Sequence, residues 1–343
     1  MFSISEFVRV NRVYFIWAIF LSVLYLFRSM FGLVFMTFIM CFIFASIGHK
    51  LRRKYHLNRR VIVVSLYSLF LLCVIGFVTT VPKRFVAETI SFTEQLPSSI
   101  AFFKQWIGSY TAENEILSLV VSQFEANLSP EKALVSAWNV SLAFLNKGLH
   151  YVGWFFLAML FSFLILLDLP NLSLGIRRLR DTKLADTYRE IASSIVLFAK
   201  VVGENFRAQL IISAINTLLT AIGLYFLGIK AIALLCTIVF VCGLIPVLGM
   251  IVSSVPIMLM AVNTGGMSLG VWALLMIVFI HLLEAYVLNP RIVSSVMHIN
   301  PVMTLIILYI AHSLLGMWGM LLGVPIAVYF YRKISILPTK MVE

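Results

Sequence analysis

The chain has 343 residues, of which 62% are apolar and only 12% charged, about half the charged share of an ordinary water-soluble domain. A soluble globule has nowhere to hide that much apolar surface, which argues against a cytosolic enzyme. The net charge of +12 is spread between the apolar runs and is not gathered in one patch, so nucleic acid is not an expected partner and the lipid bilayer is.

A spanning helix needs about 20 mostly apolar residues, and the sequence supplies such runs repeatedly. The first, Val13 to Phe27, is short, and Arg28 can snorkel from its end. A second run follows at once, so no cleaved signal peptide is expected and the first helix stays. Residues 29–48, 61–82, 148–167 and 208–229 contain no Asp, Glu, Lys or Arg. Residues 231–280 form an uncharged run of 50 and 292–331 another of 40, each long enough for two passes. Alternating the intervening loops places 19 of the 26 Lys and Arg on one side: Arg9 and Arg12, six in 49–60, seven in 170–207, Arg291 and three at the C-terminus. The positive-inside rule then puts both termini in the cytoplasm. Cys41, Cys73, Cys236 and Cys242 all lie in apolar runs without CxxC spacing, and read as packing residues.

Two polar stretches interrupt the spans. Residues 83–149 carry five basic and six acidic residues, as expected of an extracytoplasmic helical segment. Leu117, Val120, Val121, Phe124 and Leu128 recur at helical spacing, and Ser129, Pro130 and Glu131 read as an N-cap and first turn. Residues 170–207 are basic, with Leu184, Tyr188, Ile191, Ile195 and Phe198 forming an amphipathic stripe behind Arg177, Arg178, Arg180 and Lys183. That stripe suits either the anionic cytoplasmic leaflet or the protein's own helices.

The C-terminal third is the most informative. Gly243 to Pro256 reads GLIPVLGMIVSSVP and Gly316 to Pro325 reads GMWGMLLGVP. Gly249-Met250 followed by Val255-Pro256-Ile257 is echoed by Gly319-Met320 followed by Val324-Pro325-Ile326. Glycine and proline break helices, and a broken backbone at membrane depth is tolerated only where protein or a water-filled cavity covers it. Paired broken segments point to a transporter's binding site. Six full spans with re-entrant hairpins at 231–263 and 302–331 keep the C-terminus cytoplasmic. The competing reading is ordinary close helix packing, as in the GxxxG spacing of Gly319 and Gly323. The residues expected to shape the hairpins are Gly243, Pro246, Gly249, Pro256, Pro290, Gly316, Gly319, Gly323 and Pro325.

Between the hairpins runs HLLEAYVLNPR, from His281 to Arg291, holding the only acid after Glu204 other than the terminal Glu343. An intramembrane acid is a functional candidate by default. His281 and Glu284 share a helix face, and Leu288 and Asn289 continue that side. Glu284 is suited to bind a proton, a cation or a solute hydroxyl, and the plain alternative is an anchor paired with Arg291. Glu204 and Arg207 lie in GENFRAQ, as a gate or solute contact or as an ion pair steadying that helix. Asp168, in LLDLPN, reads as an interfacial cap, and His298 and His312 as packing residues. No HExxH, Ser/Lys or paired-Asp protease pattern is written here, and no GxxxxGK[ST] motif. Transport energy is therefore expected from an ion or solute gradient, with no cofactor and no metal.

Together, Gly243 to Gly249, Leu283 to Val293, His298 to Pro301 and Gly316 to Pro325 resemble the AI-2E family of transporters, the autoinducer-2 exporter or PerM-like permease family. The resemblance implies an all-α polytopic protein of the bacterial inner membrane, homo-oligomeric with a pentamer as one form. It implies export of a small autoinducer-2-like solute, or exchange of sodium or lithium for protons. A passive channel and a scaffold that transports nothing are the other readings. Ser294, where the family commonly has glycine, and GENFRAQ depart from its pattern. The expected organisation is transmembrane helices in 1–82, the outer segment 83–149, a span at 150–169 and the basic amphipathic helix 170–207. A transport core at 208–333 and a tail at 334–343 complete it.

The charge asymmetry yields a test of topology. Single-cysteine labelling is expected to find positions 55 and 340 cytoplasmic and position 113 outside. Finding position 340 outside would remove the second hairpin.

Overall fold

The computed structural model describes residues 30–111, 130–178, 185–292 and 301–336. The span at 13–27, the stripe from Leu117 to Ser129, Arg180, Lys183, Leu184, Ser294, His298 and Lys340 lie outside the described residues. All the regular elements described are helical: α1 (Phe31–Tyr55), α2 (Arg59–Thr111), α3 (Pro130–Arg177), α4 (Ala185–Phe226), α5 (Ile232–Cys242), α6 (Leu248–Leu283), α7 (Asn289–Ile292), α8 (Pro301–Leu315) and α9 (Met317–Ile336). A π-turn, Glu284–Leu288, joins α6 to α7. Five stretches among the described residues are long and apolar enough to cross a membrane: Phe31–Tyr55, Arg59–Gly76, Val152–Gly175, Ala192–Phe226 and Leu248–Ile292. The described apolar runs of the sequence thus appear as helices, as an all-α polytopic protein requires.

The chain divides into two compact units, Met1–Tyr67 with Leu149–Arg177, and Ser68–Gly148 with Arg178–Glu343. In the first, α1 ends at His56, whose left-handed backbone (φ 52°) turns the chain, and Arg52, Arg53 and Lys54 occupy its last turn. Cations there face the negative end of the helix dipole. Tyr67 of α2 donates to Ser162 of α3 at 2.9 Å and packs on Phe44 and Phe163, satisfying a buried hydroxyl inside an apolar cluster. Pro170 lies inside α3 and has no N–H to offer the carbonyl four residues back. The Arg59 guanidinium takes that role, donating to the Leu166 carbonyl at 2.7 Å.

The second unit holds both glycine- and proline-broken segments. The chain reverses twice between residues 231 and 283. The first reversal, at 243–247, separates α5 from α6. The second lies inside α6, where Gly265 and Gly266 leave helical geometry and Gly266 has φ 66°. A Cβ on Gly270 would come 2.7 Å from Val262, so the arms on either side of that break fold back on each other. Leu224, Leu235, Ile257, Ala261, Ala273 and Ile277 form the shared core of α4, α5 and both arms of α6. A third reversal, at Gly316 (φ 61°), separates α8 from α9.

The reversals at 243–247 and 316 use one device. Seven residues after the end of α5, a Cβ on Gly249 would strike the Cys242 main-chain carbonyl; eight residues after Ala311, a Cβ on Gly319 would strike the Ala311 carbonyl. Each glycine lets the returning arm press on the backbone of the arm before it. The repeated Gly-Met of the sequence is the trace of this contact. Gly323 adds a second close approach: a Cβ there would lie 2.8 Å from the Ala311 methyl group.

Helix α2 continues through residues 82 and 83 without a break, although hydropathy changes there. The bilayer needs only about 20 residues of it, and the remainder has other work. Glu88 accepts the Leu234 N–H at 2.7 Å in the first turn of α5, where Ala231 supplies no side-chain cap. Phe92 packs on the α5–α6 core, and Asn263, at the far end of the arm 248–264, donates to Gln95 at 2.7 Å. The stretch of α2 from Glu88 to Gln95 therefore lies along the base of the first helical hairpin.

Adding one methyl group tests the close approaches. Gly249→Ala and Gly319→Ala are each expected to cost roughly 1–3 kcal/mol and lower the thermal unfolding midpoint in detergent, because main-chain atoms cannot move aside. Gly153→Ala, which meets nothing within 4 Å, should leave the midpoint unchanged or raise it. Unchanged midpoints in both of the first two variants would contradict the packing described.

Candidate functional site

Helix α4 is apolar over most of its length, but Gln209, Ser213, Asn216 and Thr220 recur at steps of four, three and four and so share one face. The last carbonyls of any helix lack an internal donor, and α5 ends in a turn where no further helix follows in line. The α4 stripe supplies the donors. Gln209 Nε2 bonds the Gly243 carbonyl at 2.6 Å and Ser213 Oγ bonds the Phe240 carbonyl at 2.6 Å. A Cβ on Gly243 would lie 2.8 Å from that Ser213 hydroxyl.

The turn itself is tightly wound. The Leu248 N–H reaches the Pro246 carbonyl at 2.7 Å across Val247, whose φ of 64° and ψ of −54° are those of the rarer, strained form of γ-turn. A β-branched residue at positive φ stores strain of about 1–3 kcal/mol, held by its surroundings. Here Ile245 and Leu248 pack against the cluster of Val201, Leu308, Val324, Val328 and Tyr329, which joins α4, α8 and α9 to the turn.

One turn along α4, Asn216 Nδ2 donates to Glu284 Oε2 at 2.7 Å. His281 Nδ1 lies 3.4 Å from the same oxygen. Glu284 opens the π-turn Glu284–Leu288, and an extra residue in a helical turn is a frequent mark of a functional position. Asn216 is 7% exposed, yet its Oδ1 has no hydrogen-bond donor among the described residues. Glu284 and His281 keep 23% and 22% of their side-chain surface open.

These groups border a cavity of about 410 Å³ between the α4 stripe, the turn 243–250, the arm 248–257 and the segment 277–289. That volume suits a small solute. Thr220, Ser253 and Ser254 add hydroxyl groups to its wall, and Val239, Ile257, Ile277 and Ile280 make the rest of it apolar.

Of the residues singled out from the sequence, Glu284, His281, Asn289, Gly243, Pro246 and Gly249 line this cavity. Glu204 and Arg207, half-buried on α4 just before the stripe begins at Gln209, do not. Pro256, Pro290, Gly316, Gly319, Gly323 and Pro325 also stand away from it; the second hairpin contributes Thr304 alone to the lining. Asp168 accepts from Asn171 at 2.6 Å, and Glu284 pairs with His281, not with the exposed Arg291. Sequence reasoning passed over Gln209, Ser213, Asn216 and Thr220 because none is ionisable. Their four-three-four spacing on an otherwise apolar helix is the signal that finds them.

Comparison with known proteins gives the geometry a context. Residues 14–338 match the pattern described as AI-2E family transporter. The Bacillus subtilis (strain 168) protein YdbI, named as a candidate transport protein, is 30% identical over 328 residues, covering 93% of this chain and 89% of that one. A sodium-lithium/proton antiporter of Halobacillus andaensis is 24% identical over 294 residues, 81% of each chain. A Thermotoga maritima protein, likewise named as a candidate for transport, is 23% identical over 193 residues, 55% of this chain and 58% of that one.

Asn216 and Glu204 make a contrasting pair. A hydrogen bond to a charged group is worth about 1.5–3 kcal/mol, so Asn216→Ala is expected to cut flux in proteoliposomes at least about tenfold. Glu204→Gln should stay within about twofold of the parent. Equal losses in the two variants would place the working site elsewhere on α4.

Proposed function

This chain belongs to the AI-2E family of transporters, and from that premise we propose that it is a gradient-driven secondary transporter exporting a small autoinducer-2-like solute across the bacterial inner membrane. The observation that carries the reading is Glu284, a carboxylate held by Asn216 and His281 on the wall of a cavity about 410 Å³ in volume. A carboxyl on that wall can exchange a proton for a solute contact while the hydroxyls and amides around it stay neutral. Proton coupling through Glu284 would then drive export. His281 is placed to steady the carboxylate in one state and release it in the other, and Asn289 to contact the solute.

The two hairpins take the role of re-entrant elements in this reading. Helix α5 has 11 residues and rises about 16 Å, roughly half of the hydrocarbon thickness. It supports a segment that dips into the bilayer, turns at 243–247 and leaves on the side from which it came. The charge asymmetry supports cytoplasmic termini, and the family resemblance supports a homo-oligomer, with a pentamer as the form to look for.

Sodium or lithium exchange for protons is the second reading, and the unpaired Asn216 Oδ1 favours it. That oxygen and the Glu284 carboxylate are two acceptors at one cavity, and hard cations take oxygen ligands. The Halobacillus andaensis relative is named for such exchange.

Proteoliposome flux measured with and without a proton gradient, using autoinducer-2 and radiolabelled sodium in turn, tests both. The parent protein should move one solute faster under the gradient. Glu284→Gln keeps shape and hydrogen bonding but cannot ionise, and should lose gradient-driven flux while inserting normally. Glu284→Asp should retain part of the activity with a shifted pH profile. Wild-type flux with intact proton dependence in Glu284→Gln would make the residue a structural anchor. Flux in the parent without any proton dependence would describe a channel.

A further inference from the structure

We propose that the corner between α1 and α2 is a binding site for one phosphate group, supplied by an anionic phospholipid. Residues 49–60 contain six Lys or Arg and no acid. On α1, Ala45, Gly48, His49 and Arg52 lie on one face, and the reversal at His56 brings the first turns of α2 alongside. The two helices are in ordinary contact there: a Cβ on Gly48 would lie 3.8 Å from Ile62.

Between them is a small pocket of about 60 Å³, with His49, Arg52 and Arg59 on its polar side and Phe44, Leu166 and Leu169 among its apolar walls. It has room for a single tetrahedral anion and for nothing as large as a nucleotide. The Arg59 guanidinium is fixed at this position, because one of its N–H groups satisfies the Leu166 carbonyl that Pro170 leaves without a donor. His49 is oriented as well: its Nδ1 lies 2.6 Å from the Ala45 carbonyl, so Nδ1 carries the hydrogen that this contact needs.

No acid among the described residues of this unit is paired with these cations. Among its described residues the one carboxylate is Asp168, exposed and bonded to Asn171. Two guanidinium groups at the rim of an apolar pocket match a planar-donor, tetrahedral-anion pairing. The pocket stands at the polar end of spanning helices, where a phospholipid presents its phosphate with acyl chains beside the exposed Val61 and Val64.

Native mass spectrometry of the full chain, with phosphatidylglycerol, diacylglycerol and inorganic phosphate as probes, tests the site. The parent protein should retain phosphatidylglycerol and release diacylglycerol. Arg52→Gln should lower retention about tenfold, and Arg53→Gln, which makes the same charge change at an exposed neighbour outside the pocket, should leave it unchanged. Arg59→Gln also uncovers the Leu166 carbonyl, so Arg52 is the primary position and unfolding midpoints accompany each variant. Failure of excess inorganic phosphate to displace the lipid supports the lipid as occupant, and displacement supports the same site filled by soluble phosphate. Equal losses in Arg52→Gln and Arg53→Gln, or equal retention of diacylglycerol, would overturn the proposal.

Discussion

A helix that ends in a turn leaves its last carbonyls without internal donors, and one polar stripe on α4 meets that demand. Gln209 and Ser213 take the carbonyls that α5 leaves open at its end, and Asn216, one turn on, holds the only acid of the C-terminal core, Glu284. The turn, the cavity and the carboxylate are therefore consequences of one helix face. Removing the stripe would take the side-chain donors from these two part-buried carbonyls, at about 1–3 kcal/mol for each left unpaired.

The two glycine- and proline-broken segments share a construction but not a position. In both, a glycine of the returning arm rests on a carbonyl of the arm before it, and Tyr329, Leu308 and Val324 of the second pack with Ile245 and Leu248 of the first. Only the first borders the cavity with more than one residue. Strain is likewise concentrated in the first, at Val247. The strained turn is clamped on one side by α8 and α9 and borders the cavity on the other.

Much of this was legible in the amino-acid sequence because hydrocarbon imposes length and polarity rules with few exceptions. The apolar runs became helices, and the repeated Gly-Met and Val-Pro of 249–256 and 319–325 marked two of the three reversals. The third, at Gly265–Gly266, was hidden inside a run of 50 uncharged residues, where hydropathy does not change and only backbone conformation does. Glu284, His281 and Asn289 were legible as a face of three polar residues in an apolar setting. Asn216 was not, since an amide on a long helix carries no charge to draw attention and its partner lies 68 residues away. Glu204 and Arg207 drew attention by charge, and the structure keeps them from the cavity. The tie between Pro170 and Arg59, 107 residues apart between the arginine and its acceptor, belongs to the same class: a local defect repaired at long range leaves no local pattern.

The central claim is that Asn216 and Glu284 act as one unit at the cavity wall. Infrared difference spectroscopy of the membrane-embedded protein during acidification reads the Glu284 carboxyl directly. The expected result is a protonated-carboxyl band that is absent in Glu284→Gln and moves in frequency in Asn216→Ala, because the amide donor that polarises the group is gone. A band absent in Glu284→Gln but identical in position and intensity between the parent protein and Asn216→Ala would contradict it.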